Sequence, residues 1–189
     1  MSNRAQLILV VILIAGGLGF VAFQVFRDPG VQQGKAARSY APGATFTERS
    51  RLQEFVNLGV RVTLCMDDDL NGQPLLRALF SPTDRGFHVY SKDLDPNRTG
   101  GVGLATQLEL LPNPAVKTVG QLFADVTPEH REGVDVYPEG PVQLRLPIQF
   151  VQGRTNVPAQ VAVSYMACNS NICLRPVKRK IVDVQLVSP

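Results

Sequence analysis

The sequence contains no tryptophan, and only two histidines and three cysteines among its 189 residues. The only histidines are His88 and His130, and no Ser-His-Asp or Cys-His-Asn constellation can be argued around them from the sequence. Two thiols five positions apart, with no second Cys or His pair close by, fall short of the four ligands a structural zinc site requires. The net charge is only +3, and the basic residues are scattered apart from Lys178, Arg179 and Lys180. Such a run reads as a solvated strand end, and nothing in the charge pattern argues for nucleic acid. There is no internal repeat. Past residue 56 no segment carries a 3.6-residue apolar period, which excludes a helical fold for most of the chain.

What is present is one long apolar run and a series of short ones. Leu7 to Phe26 carries no charge and a single amide, Gln24. A helix of about 20 residues spans about 30 Å, the hydrocarbon thickness of a bilayer. The run therefore predicts a retained transmembrane anchor over 7–26, preceded by a short tail, 1–6. A cleaved signal peptide is the alternative reading, with Gly16, Gly17 and Gly19 as the small residues near its cleavage site. Arg27, Lys35 and Arg38 follow the run while only Arg4 precedes it, so the positive-inside rule taken alone favours a cytoplasmic C-terminal domain. The cysteine usage described below argues for the opposite, extracytoplasmic side. Residues 27–45, in which Asp28-Pro29-Gly30 stops the helix, read as a linker too polar to pack.

From residue 46 to 189 short apolar runs alternate with turn residues. Val60–Met66, Leu75–Phe80, Phe87–Ser91, Thr106–Leu111, Val142–Phe150, Gln160–Ala167 and Val177–Val187 read as strands, and Thr47–Val56 as a short helix capped by Thr47 or Ser50. Asn71-Gly72 favours a tight hairpin. Short strands separated by Gly and Pro turns imply an all-β sandwich or barrel. Asp67-x-Asp69-x-Asn71-Gly72 imitates a calcium loop, but the twelfth position is Ala78 and Pro74 interrupts, so it reads as a charged turn. Cys65, inside the apolar Val62-Thr63-Leu64-Cys65-Met66, reads as a buried inert thiol, with an intermolecular disulfide as the alternative. Asn97-Arg98-Thr99 is a glycosylation sequon, meaningful only in a eukaryotic secretory host.

The chemistry concentrates in Tyr165-Met166-Ala167-Cys168-Asn169-Ser170-Asn171-Ile172-Cys173-Leu174-Arg175-Pro176. A polar four-residue loop sets Cys168 and Cys173 opposite each other, within disulfide range. Closing so short a loop stabilises little, and a domain of this length does not need a staple to fold. A redox role is one reading. A static staple on a non-catalytic interaction module is a second, and Cu(I) handling by Met166 with the two thiols is a third.

The same segment resembles the N-terminal domain of the DsbD thiol:disulfide interchange proteins, in which a strand ending Tyr-Gln-(Ala/Gly)-Cys is followed by a loop of four or five residues and Cys-(Leu/Tyr)-Pro-Pro. Gly86-Phe87-His88-Val89-Tyr90-Ser91 is similar to a second family segment, and the resemblance covers roughly residues 58–187. It implies an immunoglobulin-like β-sandwich on the periplasmic side of the inner membrane, held by the single anchor. It implies redox-active Cys168 and Cys173, with Cys173 forming the mixed disulfide and Cys168 resolving it, and no cofactor. It also implies periplasmic disulfide proteins as acceptors and a thioredoxin-like or membrane-embedded electron donor, here acting in trans. Arg175 departs from the family's Pro, and a cation there favours the thiolate. The family's aromatic cap loop should fall near Phe123 to Tyr137, with Phe123 as its candidate residue.

Overall fold

The computed structural model describes residues 47–97, 101 and 103–188. The expected tail, anchor and linker lie outside the described residues, as do Arg98 and Thr99 of the sequon. In chain order the strands are β1 (Thr47–Asn57), β2 (Val60–Asp68), β3 (Pro74–Pro82), β4 (His88–Val89), β5 (Gln107–Leu110), β6 (Val116–Thr118), β7 (Phe123–Ala124), β8 (Glu129–Arg131), β9 (Val134–Val136), β10 (Val142–Phe150), β11 (Asn156–Tyr165), β12 (Ala167–Cys168) and β13 (Val177–Val187). There is no helix among the described residues. The domain is all-β, as its sequence implies, and is built from several sheets.

The largest sheet runs β1-β2-β3-β10-β6, with β7 also pairing with β10. A second runs β13-β11-β5, and two-stranded ribbons are formed by β12 with β4 and by β8 with β9. All the ladders are antiparallel. Alternation along the strands explains the core. In β2, Val60, Val62, Leu64 and Met66 are buried in one cluster with Leu76, Ala78 and Phe80 of β3 and Leu144 and Ile148 of β10. Val161 and Val163 of β11 and Val182, Val184 and Leu186 of β13 join the same cluster from the second sheet. Phe80 meets Tyr165 edge to face, with ring centroids 5.6 Å apart. The Tyr165 hydroxyl donates to the Asn57 carbonyl at 3.0 Å, so this fully buried ring keeps its polar end satisfied. Burial pushes its pKa up to about 12. One hydrophobic core shared by two main sheets is consistent with a β-sandwich.

Thr47–Val56 is not a helix. The segment is β1, paired with β2 along its length with register shifts between Glu48 and Ser50 and between Arg51 and Gln53. Asn57 pairs with Val60, so Leu58 and Gly59 form a two-residue turn, and both have positive φ (43° and 73°). That is the backbone of a type I′ hairpin, which usually advertises itself by Asn-Gly or Asp-Gly. Here Leu58 takes the first position because its side chain packs against the main core. Burial and the ladder with β2 override the local preference. Asn71-Gly72 does sit in a hairpin, but not a two-residue one. Asp68 pairs with Pro74, leaving a five-residue loop, Asp69 to Gln73. Gly72 supplies the positive φ there, 71°.

The acidic residues of that region have structural partners. Asp69 Oδ1 accepts from the amides of Asn71 and Gln73, both at 2.8 Å, and so holds its own turn. Asp67 lies on the face of β2 opposite the core and is 1% exposed. Its carboxylate sits between Arg77 Nε at 3.1 Å and Arg145 Nε at 2.9 Å. Arg77 pairs in turn with Glu48, and both arginines donate to Gln143 Oε1. Cys65 is 1% exposed beside this network, and burial raises its thiol pKa, an effect that the neighbouring Arg77 opposes.

The basic run Lys178-Arg179-Lys180 is used locally. Arg179 has φ 49° at a bulge, and its amide donates to Ser164 Oγ at 2.9 Å. Its guanidinium lies 3.5 Å from Glu109, and Lys180 Nζ sits 5.0 Å from the centre of the Phe55 ring.

Candidate functional site

Cys168 and Cys173 are joined by a disulfide, with Cα atoms 4.1 Å apart. They face each other as an antiparallel bridge, as the four-residue loop implies. The loop is shaped by Asn169. Its Oδ1 accepts from the amides of Asn171 and Ile172, each at 2.9 Å, and its own amide donates to the Ile172 carbonyl at 2.9 Å. Asn is suited to this because its short side chain can bond to the backbone two residues on. The Leu174 amide then donates to the Ala167 carbonyl at 2.9 Å and closes the hairpin.

The segment predicted as one strand, Gln160–Ala167, is two. β11 pairs with β13 and β5, and after Met166 the chain crosses to pair with β4. Ala167 stands opposite Val89, and Cys168 opposite His88. The far side of the β4 segment is held by β9, through a bridge from Tyr90 to Val136 and the bonds Ser91 N to Asp135 O and Tyr137 N to Val89 O, both 2.9 Å. A small second core results, made of Tyr90, Leu94, Val136 and Cys168 with Ala105, Val134 and Met166 against it.

The two sulfurs are placed unequally. Cys168 is 3% exposed inside the small core, whereas Cys173 is exposed at the loop's end, next to exposed Ile172 and Arg175. The Tyr90 hydroxyl approaches both, at 3.4 Å from Cys168 Sγ and 3.9 Å from Cys173 Sγ. With the sulfurs bonded to each other, only the hydroxyl has a proton to give, so Tyr90 is the donor. Burial raises the Tyr90 pKa, which keeps that proton in place. The Tyr90 carbonyl accepts from buried Thr106 Oγ1 at 2.6 Å, which fixes the strand behind it.

The site therefore contains residues that reading the sequence did not single out for it. Tyr90 and His88 lie about 80 residues before the cysteines and reach them only because β12 leaves its own sheet for β4. Phe123, the expected cap, lies on β7 opposite Arg145 of the large sheet and is not part of the core around Cys168. From the span in which a cap was expected, Val134 and Val136 of the β8–β9 hairpin are the residues that pack there. Met166 is half-buried against the same core. Among the described residues, no three His, Cys, Asp or Glu side chains converge as a metal site. His130 is exposed and pairs with Asp135 at 2.8 Å within the β8–β9 hairpin.

No family model matches this chain, and neither curated proteins nor solved structures give a significant match.

Proposed function

We propose that this chain is a thiol:disulfide exchange domain, in which Cys168 and Cys173 cycle between disulfide and dithiol. The observation that carries the reading is the unequal exposure of the pair. Exchange begins with attack at an accessible sulfur, and the resolving thiol needs access only to its neighbour. Exposed Cys173 suits the first role, and Cys168, buried beneath the Tyr90 hydroxyl, suits the second. The short hydrogen-bonded loop adds to the case, since a bridge closing so few residues stabilises the fold by only about 2 kcal/mol, less than one closing a longer loop. In this reading the domain is an immunoglobulin-like β-sandwich resembling the N-terminal domain of DsbD proteins. In it the apolar 7–26 segment tethers the domain on the periplasmic side of the inner membrane, and a thioredoxin-like or membrane-embedded donor supplies its electrons. Periplasmic disulfide proteins are its acceptors.

Equilibrating the protein against glutathione redox buffers tests this. A reduction potential between about −120 and −270 mV, the range of exchange proteins, is expected. A value below about −300 mV is that of a structural bridge, and would leave a non-catalytic module with a staple as the better reading.

A further inference from the structure

His88 stands directly opposite Cys168 in the β4–β12 ladder. Directly opposed residues of an antiparallel pair project to the same face with Cβ atoms about 4.5–5.5 Å apart. Tyr90, two residues on, shares that face, and its ring lies 6.4 Å from the His88 ring. Tyr90 also reaches the Cys168 sulfur, so the three side chains form one group. His88 Nδ1 is buried and has no hydrogen-bond partner in the disulfide form. A buried polar nitrogen without a partner is destabilising, and such atoms are uncommon in folded proteins. In the disulfide form Cys168 carries no proton. In the dithiol form it does, and His88 is the residue opposite it in the ladder.

We propose that His88 is the proton acceptor for Cys168 in the resolving step of exchange, an inference that rests on the exchange reading above. The sequence begins with the dithiol and a protein or peptide disulfide. The Cys173 thiolate attacks one partner sulfur, and the partner's other sulfur leaves as a thiolate that is protonated from solvent. Cys168 then attacks Cys173 Sγ while its proton passes to His88 Nδ1. The Cys168–Cys173 bond forms, and the bond from Cys173 to the partner breaks with its electron pair leaving on the partner's sulfur. The chain has lost two electrons and the partner has gained two. His88 returns its proton to solvent.

The surroundings favour a neutral, receptive imidazole. Burial is the largest influence and lowers the His88 pKa; Arg131 on β8 lowers it further, and Glu139 and Glu129 oppose both. The groups facing it from its own strand and from β12 are Tyr90 and Cys168. A neutral acceptor is available above the imidazole pKa and is lost as pH falls through it.

The test uses the reduced full-length protein mixed with oxidised glutathione, with each species trapped by acid and counted by mass spectrometry. His88→Gln and His88→Phe both remove the base, and the second keeps an aromatic ring in place. Formation of the Cys173–glutathione mixed disulfide is expected to stay within about twofold of the unaltered protein. Its resolution by Cys168 is expected to slow about a hundredfold, the lower end of the contribution of a positioned base. In the unaltered protein, resolution should also fall off at a pH below the ordinary imidazole value of about 6.5, and that inflection should vanish in both variants. Unchanged resolution, or slower resolution with the inflection intact, would overturn the role of His88 while leaving the exchange reading standing. Absence of any exchange with glutathione in the unaltered protein would overturn both.

Discussion

Reducing the disulfide should leave this domain folded, at a modest loss of stability. The bridge joins residues only five apart in sequence. With about five or six residues in the closed loop, the chain-entropy expression gives about 2 kcal/mol of stabilisation at 25 °C, against about 3 for a 15-residue loop. The native loop does not depend on the bridge for its shape. Asn169 holds it with three hydrogen bonds, the Leu174 amide closes it onto Ala167, and β12 remains paired with β4. For a domain of this size each 1 kcal/mol moves Tm by about 2–4 °C, so the expected fall on reduction is about 4–8 °C. Urea unfolding and calorimetry with and without a phosphine reductant measure both quantities. A loss above about 4 kcal/mol, or unfolding on reduction, would refute the reasoning and identify the bridge as a structural staple.

Replacing Asp67 by Ala leaves Arg145 and Arg77 without their shared carboxylate in a buried setting, and should cost about 3–5 kcal/mol in urea unfolding; a loss under about 1 kcal/mol would show that solvent replaces the carboxylate. Gly59→Ala places a Cβ where φ is +73° and where it would lie 2.5 Å from Leu174 Cδ1. It should cost about 1–2 kcal/mol for the backbone alone, and unchanged thermal stability would contradict the turn assignment. The Cys65 thiol, buried and with its pKa raised by burial, should resist iodoacetamide at pH 8 in the folded protein and react once denatured; rapid labelling of the folded protein would refute its placement.

The strands legible in the sequence are those with dense apolar or alternating patterns. Val142–Phe150 and Val177–Val187 have the same bounds in sequence and structure, because alternate side chains enter the core. β1 is illegible because it is an edge strand rich in charge, and its turn uses Leu58 where Asn or Asp would signal a hairpin. The β8–β9 hairpin is missed for a related reason. All of β8 is exposed, so it has no apolar face to read, although Glu132 and Gly133 adopt positive φ at its turn. At the site, the facing of the two cysteines follows from loop length alone. Their unequal burial, and the approach of Tyr90 and His88, depend on a strand changing sheets after Met166, and no local pattern encodes that.

The most direct test of the exchange account is a trapping experiment with single-cysteine variants of the reduced protein and oxidised glutathione. Cys168→Ser keeps exposed Cys173 and should accumulate a stable mixed disulfide on it. Cys173→Ser keeps only buried Cys168 and should form one at least about tenfold more slowly, the difference between an accessible and a shielded thiolate. Equal trapping by the two variants, or faster trapping at Cys168, would contradict the assignment of Cys173 as the exchanging sulfur.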